Sequence, residues 1–246
     1  ALPHFINSLG LALNYRFLTL TTSFLAILGG FLILILVPDG PFRLKQQKIK
    51  LKAIPELFKV PGFRKAAFGY FGHMWELYAF WGFLPVFLSL YADFSSVELN
   101  VALWSFLIIA TGAISCALGG HISFYKGSKA VALVSLIISG LFCLGSPFLL
   151  YFPKVVFLIS LIIWGAAVVA DSPQFSTLVA QNTPAQFRGS ALTLVNCIGF
   201  AITIFSIQML TIWTAGVGQK YFFVILGAGP IFGIISLINS KKIAVK

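Results

Sequence analysis

Seven long apolar runs, broken by short polar links, set the pattern of this chain. Residues 17–38 lie between Arg16 and Asp39, and 66–92 between Lys65 and Asp93 with only Glu76 inside. Residues 99–125 run from Glu98 to Lys126, and 130–153 from Lys129 to Lys154. Residues 155–187 contain only Asp171, 189–219 carry no charge, and 221–240 end before Lys241. An α-helix rising 1.5 Å per residue crosses the ~30 Å hydrocarbon core of a bilayer with about 20 apolar residues. Each run is long enough, so the pattern predicts seven transmembrane helices in an all-α, polytopic membrane protein. Period-two alternation and the roughly 10-residue segments of membrane barrels are missing. The opening stretch, residues 1–13, is too short to cross.

One connection stands apart. From Pro41 to Lys65 the chain is polar and basic, whereas every other link is only a few residues. The organisation expected is a remnant of a cut-off helix and outer turn over 1–16, a span over 17–40, and a basic cytoplasmic loop over 41–65. A six-helix bundle over 66–240 and a tail over 241–246 complete it. Within the loop, Pro55-Glu56-Leu57-Phe58 is placed to open a short surface helix.

Composition sharpens the contrast with water-soluble chains. Of 246 residues, 59% are hydrophobic and 9% charged, against about 25% charged in a soluble domain. Too little charge exists to cover a water-facing surface. The net charge of +11 suggests nucleic acid only until the basic residues are located, because they fall between the apolar runs and not on one amphipathic face. Of the 17 Lys and Arg, fourteen gather on one side of the alternating spans, and only Arg16, Lys154 and Lys220 lie on the other. The positive-inside rule makes the fourteen-residue side cytoplasmic, with the C-terminus inside. The chain starts at Ala1 with no basic segment before an apolar one, so its beginning does not read as a signal peptide.

Short signatures within this frame resemble a known family. Asn14-Tyr15-Arg16 followed by an apolar run ending Val37-Pro38-Asp39-Gly40-Pro41 looks like a sixth helix. Gly119-Gly120 with Gly127 and Lys129 is similar to the glycine-and-basic link between eighth and ninth helices. Pro184, Arg188-Gly189 and Ala191 look like the start of an eleventh. In that order and spacing the chain resembles the C-terminal part of a major facilitator superfamily transporter. The stretch Gly69 to Tyr78 is similar to one in bacterial permeases of this superfamily. The resemblance implies two six-helix halves with a transport path between them, alternating access, and a bacterial inner membrane. It further implies that an N-terminal half is missing here. The lipid bilayer and a small-molecule substrate are the partners implied. Phe124 and Tyr125 stand where the family usually has an acidic residue and an arginine, which departs from its charge-based gate. Gly227-Ala228-Gly229-Pro230 with Gly233 is read as close helix packing with a proline kink.

Ionisable groups inside spans are functional candidates by default, because burying charge in hydrocarbon costs several kcal/mol. Glu76 lies about ten residues into the second span, ~15 Å from its cytoplasmic end and near the midplane. His73, at i−3, is expected as its partner, with Gly69 and Gly72 beside it. This face is expected to line the cavity, Glu76 binding a proton or a cationic group of the substrate. A static hydrogen-bonded pair that fixes helix packing is the other reading. Asp171, followed by Ser172-Pro173-Gln174, suggests a broken helix fit for a gate. The spacing favours a charge near the interface pairing with Arg188, a contact that could close an inner gate. Ser190, Thr193 and Asn196 recur every three residues, with Thr203 further on, and such a stripe faces protein or water. Thr193 and Asn196 are thus substrate-site candidates, with interhelical hydrogen bonding as the alternative, and Thr111 and Ser115 carry the same ambiguity. Trp75, Tyr78, Phe80 and Trp81 are read as packing residues or interface anchors before a stacking surface.

Other functions fit less well. A seven-helix receptor matches the count and orientation, but no lysine lies deep in the last span to hold retinal, and the longest loop follows the first span. An inactive or partner-dependent half is a further reading. Catalysis has no nucleophile elbow, metal cluster or phosphate loop to stand on, and no cofactor is expected. Cys116, Cys143 and Cys197 all sit in apolar runs without metal spacing, and read as small buried or lipid-facing residues. One midplane acid and no midplane arginine lean against a strongly anionic substrate.

Overall fold

The computed structural model describes residues 2–8, 15–38, 54–216 and 218–238. Among them every regular element is helical. Two helices precede the long loop, α1 (Leu2–Ser8) and α2 (Tyr15–Leu36), and the short α3 (Ile54–Lys59) lies at the loop's end. The bundle follows as α4 (Pro61–Ser95), α5 (Val101–Lys126), α6 (Ser128–Leu149), α7 (Lys154–Ala170), α8 (Ser172–Gln181), α9 (Arg188–Gly216) and α10 (Ala228–Ile238). Two 3-10 turns, Ala185–Phe187 and Phe222–Gly227, lead into α9 and α10. Most of the basic loop and the tail 241–246 lie outside the described residues.

Six helical segments are long and apolar enough to cross a bilayer: Arg16–Leu36, Pro61–Ser95, Val101–Lys126, Ser128–Leu149, Lys154–Gln181 and Ala185–Ala215. These take up the first six apolar runs. The seventh run forms the shorter segment Phe222–Ile238. Part of it is 3-10 helix, which rises about 2.0 Å per residue, so its contour of roughly 28 Å is near the hydrocarbon thickness.

Local signals explain where the helices start and stop. Pro61 opens α4, where its missing N–H costs nothing, behind an extended Val60. Ser96, at φ 52°, ends α4. Asn100 caps α5, its side chain accepting from the Leu103 N–H at 3.0 Å. A single residue, Gly127 at φ 80°, separates α5 from α6, a conformation that a side chain would strain.

The packing turns the soluble pattern inside out. Large apolar residues such as Leu34, Ile114, Leu141 and Ile204 are exposed on the outer surfaces. None of the apolar window of α2 is buried against the rest of the described chain. Polar groups meanwhile sit inside, His73, Glu76, Ser135, Ser139, Ser146, Asp171 and Gln174 among them. α4 is the central helix, in contact with α5, α7, α8, α9 and α10. It meets α10 backbone to backbone. A Cβ on Gly72 would collide with the Gly229 carbonyl oxygen, and one on Gly229 with the Gly72 carbonyl oxygen. Small residues let the two axes approach where no water is present to drive apolar association.

Candidate functional site

Two polar clusters occupy one face of α4, a single turn apart. The first surrounds Glu76, which is 1% exposed. Trp164 Nε1 on α7 donates to Oε1 at 2.9 Å, and the Cys143 thiol on α6 donates to the same oxygen at 3.2 Å. Ser139 Oγ, also on α6, donates to Oε2 at 2.9 Å. Three neutral donors from two helices hold one carboxyl, and none is a cation. Ser139 and Cys143 belong to the buried stripe of α6 that includes Ser135 and Ser146, residues three or four apart that share one face. Trp164 is held by ring contacts to Phe80, Phe142 and Phe223, with centroids 4.7, 5.9 and 5.2 Å away. Such a box leaves the indole N–H little freedom to turn elsewhere.

The second cluster sits at the break between α7 and α8. Asp171 ends one helix and opens the next, with Pro173 in the first turn of α8. Proline has no N–H to give and cannot continue a helix through its interior. His73 Nδ1 lies 2.9 Å from Asp171 Oδ1, both side chains being almost fully enclosed. The alignment does not make a hydrogen bond, so Oδ1 has none. On the other side of the ring, Nε2 is 3.2 Å from Ser172 Oγ. Tyr70 and Phe175 flank the imidazole at 5.8 and 6.0 Å.

Three expectations need correction. His73 is not the partner of Glu76. The two share a face of α4, but Glu76 reaches α6 and α7 while His73 reaches the α7–α8 break. Glu76 also does not line an open cavity, because the chain's own α6 and α7 already enclose it. Asp171 does not pair with Arg188. The ten residues of α8, about 15 Å of helix, separate it from the Thr183 turn. There Arg188 Nε donates to the Thr183 carbonyl at 3.4 Å. Asp171 is 1% exposed and faces His73 instead.

The stripe on α9 is not brought to either cluster. Thr193 is exposed and bonds back to the Gly189 carbonyl at 3.0 Å. Asn196 is half-buried. Thr203 instead donates to the Met74 carbonyl at 2.9 Å and ties α9 to α4. Thr111 and Ser115 close on their own helix. Trp75 Nε1 donates to the Ile225 carbonyl at 3.3 Å, a packing contact. The sequence alone did not single out Trp164 or Ser139, nor the roles of Ser172 and Cys143. The recurrence of Ser135, Ser139, Cys143 and Ser146 at helical spacing was the available signal for α6. Trp164 gave none, since an indole amid an apolar run looks like packing. Among the described residues no group of three or more His, Cys, Asp or Glu could hold a metal ion.

Apolar helices long enough to cross a bilayer, with carboxyl groups enclosed between them, define a polytopic membrane protein. The sequence model of the Major Facilitator Superfamily matches residues 3–207. The chain belongs to that superfamily, and is accordingly a membrane transporter. A comparison with curated proteins found no match.

Proposed function

We propose that the protein is a secondary active transporter of a small solute, working by alternating access and coupled to protons through Glu76. The observation that carries this reading is the setting of Glu76. A buried carboxyl met by three neutral donors and no cation has no fixed counter-charge, so a proton is the simplest species to balance it. His73 and Asp171, one turn away, supply a second buried station at a break in the α7–α8 segment, where the backbone can hinge. Thr193 and Asn196 remain candidates for solute contact only on the outer face of α9.

On this reading the chain is the C-terminal part of the transporter, and an N-terminal half completes the pathway. The basic end of the bundle lies in the cytoplasm of a bacterial cell, with the C-terminus inside. A strongly anionic solute is disfavoured, because neither cluster contains a cationic residue other than His73.

A static role is the second reading, favoured by the dense bonding around Glu76. In it, Glu76 only pins α4 to α6 and α7. Reconstitution of the full-length protein in liposomes separates the two. A panel of sugars, amino acids and organic cations is tested with and without an inward proton gradient. The expected result is gradient-stimulated uptake that Glu76→Gln abolishes while solute counterflow persists. Full proton-driven uptake by Glu76→Gln would rule out the coupling role.

A further inference from the structure

We propose that the groove between α5, α6 and α7 is a binding site for one anionic phospholipid, its acyl chain in the groove and its phosphate at Lys126. The groove encloses about 620 Å³ and is lined almost wholly by apolar side chains. Leu118 and Ile122 of α5, Ala130 and Val134 of α6, and Ile163 and Ala166 of α7 form its walls. Small residues create the space, since a larger side chain at Ala130 or Ala166 would fill it.

Length and charge name the occupant. The α5 wall runs from Ser115 to Lys126, about 17 Å of helix. One leaflet of a ~30 Å hydrocarbon core is about 15 Å deep, so a single acyl chain lying along the groove stays within its own leaflet. At the basic end the groove stops at Lys126, which is exposed. Lys129 follows three residues later, at the opening of α6. Lys65 and Lys129 line a separate pocket at this same end of the bundle. Basic residues at the mouth of an apolar cleft between transmembrane helices favour an anionic headgroup over a zwitterionic one. The α7 wall includes Ala167 and Ala170 and leads directly to Asp171. A seated chain therefore packs against the helix whose break carries the second polar cluster.

The test is native mass spectrometry of the purified, delipidated full-length protein titrated with phosphatidylglycerol and with phosphatidylcholine. Wild-type protein is expected to retain one phosphatidylglycerol preferentially. Lys126→Gln lowers that preference several-fold and Lys126→Arg restores it. Val134→Trp, which fills the groove from its exposed wall, removes retention of both lipids. Ala130→Trp at the groove's rim does the same, should the first filling variant fail to fold. Equal retention of the two lipids by wild type would overturn the proposal. So would unchanged phosphatidylglycerol retention in a folded groove-filling variant, or in Lys126→Gln.

Discussion

Glu76 and Asp171 are equally buried, at 1% exposure each, yet their surroundings differ in kind. Glu76 is met by three hydrogen bonds from α6 and α7, within a box of aromatic rings. Asp171 faces one imidazole at a helix break, and its Oδ1 lacks an aligned hydrogen bond. One carboxyl is fixed by partners spread over a rigid core. The other depends on a single residue across a place where the backbone already bends. The comparison teaches that a membrane bundle can enclose two acids and surround them in quite different ways. The proposed coupling role rests on the first setting, where three neutral donors meet the Glu76 carboxyl.

Substitutions should break or sharpen that contrast in a definite order. Gly72→Leu comes first, because its side chain would push into the Gly229 carbonyl and separate α4 from α10. A loss of about 3 kcal/mol or more is expected from such overpacking, read as a lowered unfolding midpoint in detergent. Asp171→Ala follows, leaving the enclosed His73 without its acid, at about 1–3 kcal/mol for the abandoned polar group. Trp164→Phe keeps the ring contacts but removes one of three donors to Glu76, and should cost about 1 kcal/mol by the same unfolding measurement. Cys143→Ser preserves a donor at nearly the same point and should change stability by less than about 1 kcal/mol. If Trp164→Phe proved more damaging than Asp171→Ala, the contrast between the two carboxyls would be reversed.

The architecture was legible because lipid imposes a simple rule, that apolar runs of sufficient length must coil. The runs beginning after Arg16, Lys65, Glu98, Lys129, Lys154 and Arg188 all became long helical segments. The last described segment, Phe222–Ile238, is shorter and opens with the 3-10 turn Phe222–Gly227. Glu76, His73 and Asp171 stood out as ionisable residues in apolar surroundings, and all three are buried. Their pairing was not legible. Spacing of three along α4 tells which residues share a face, but that face is wide enough to meet α6, α7 and α8 at once. Which acid His73 meets is decided by where those helices cross. The local pattern around Asp171 carried no such information. Arg188 looked near in sequence, yet the length of α8 lies between them. Trp164 was invisible for a different reason, because its N–H function emerges only once Glu76 is seen opposite.

Infrared difference spectroscopy of the protein in lipid, recorded between acid and alkaline pH, tests the coupling role of Glu76 most directly. Carboxyl bands are assigned by substitution, beginning with the buried Glu76 and Asp171. A carboxylic C=O band characteristic of an apolar, hydrogen-bonded site is expected to appear and vanish with pH, to disappear in Glu76→Gln, and to survive Asp171→Asn. A pH-dependent carboxyl spectrum unchanged by Glu76→Gln would contradict it.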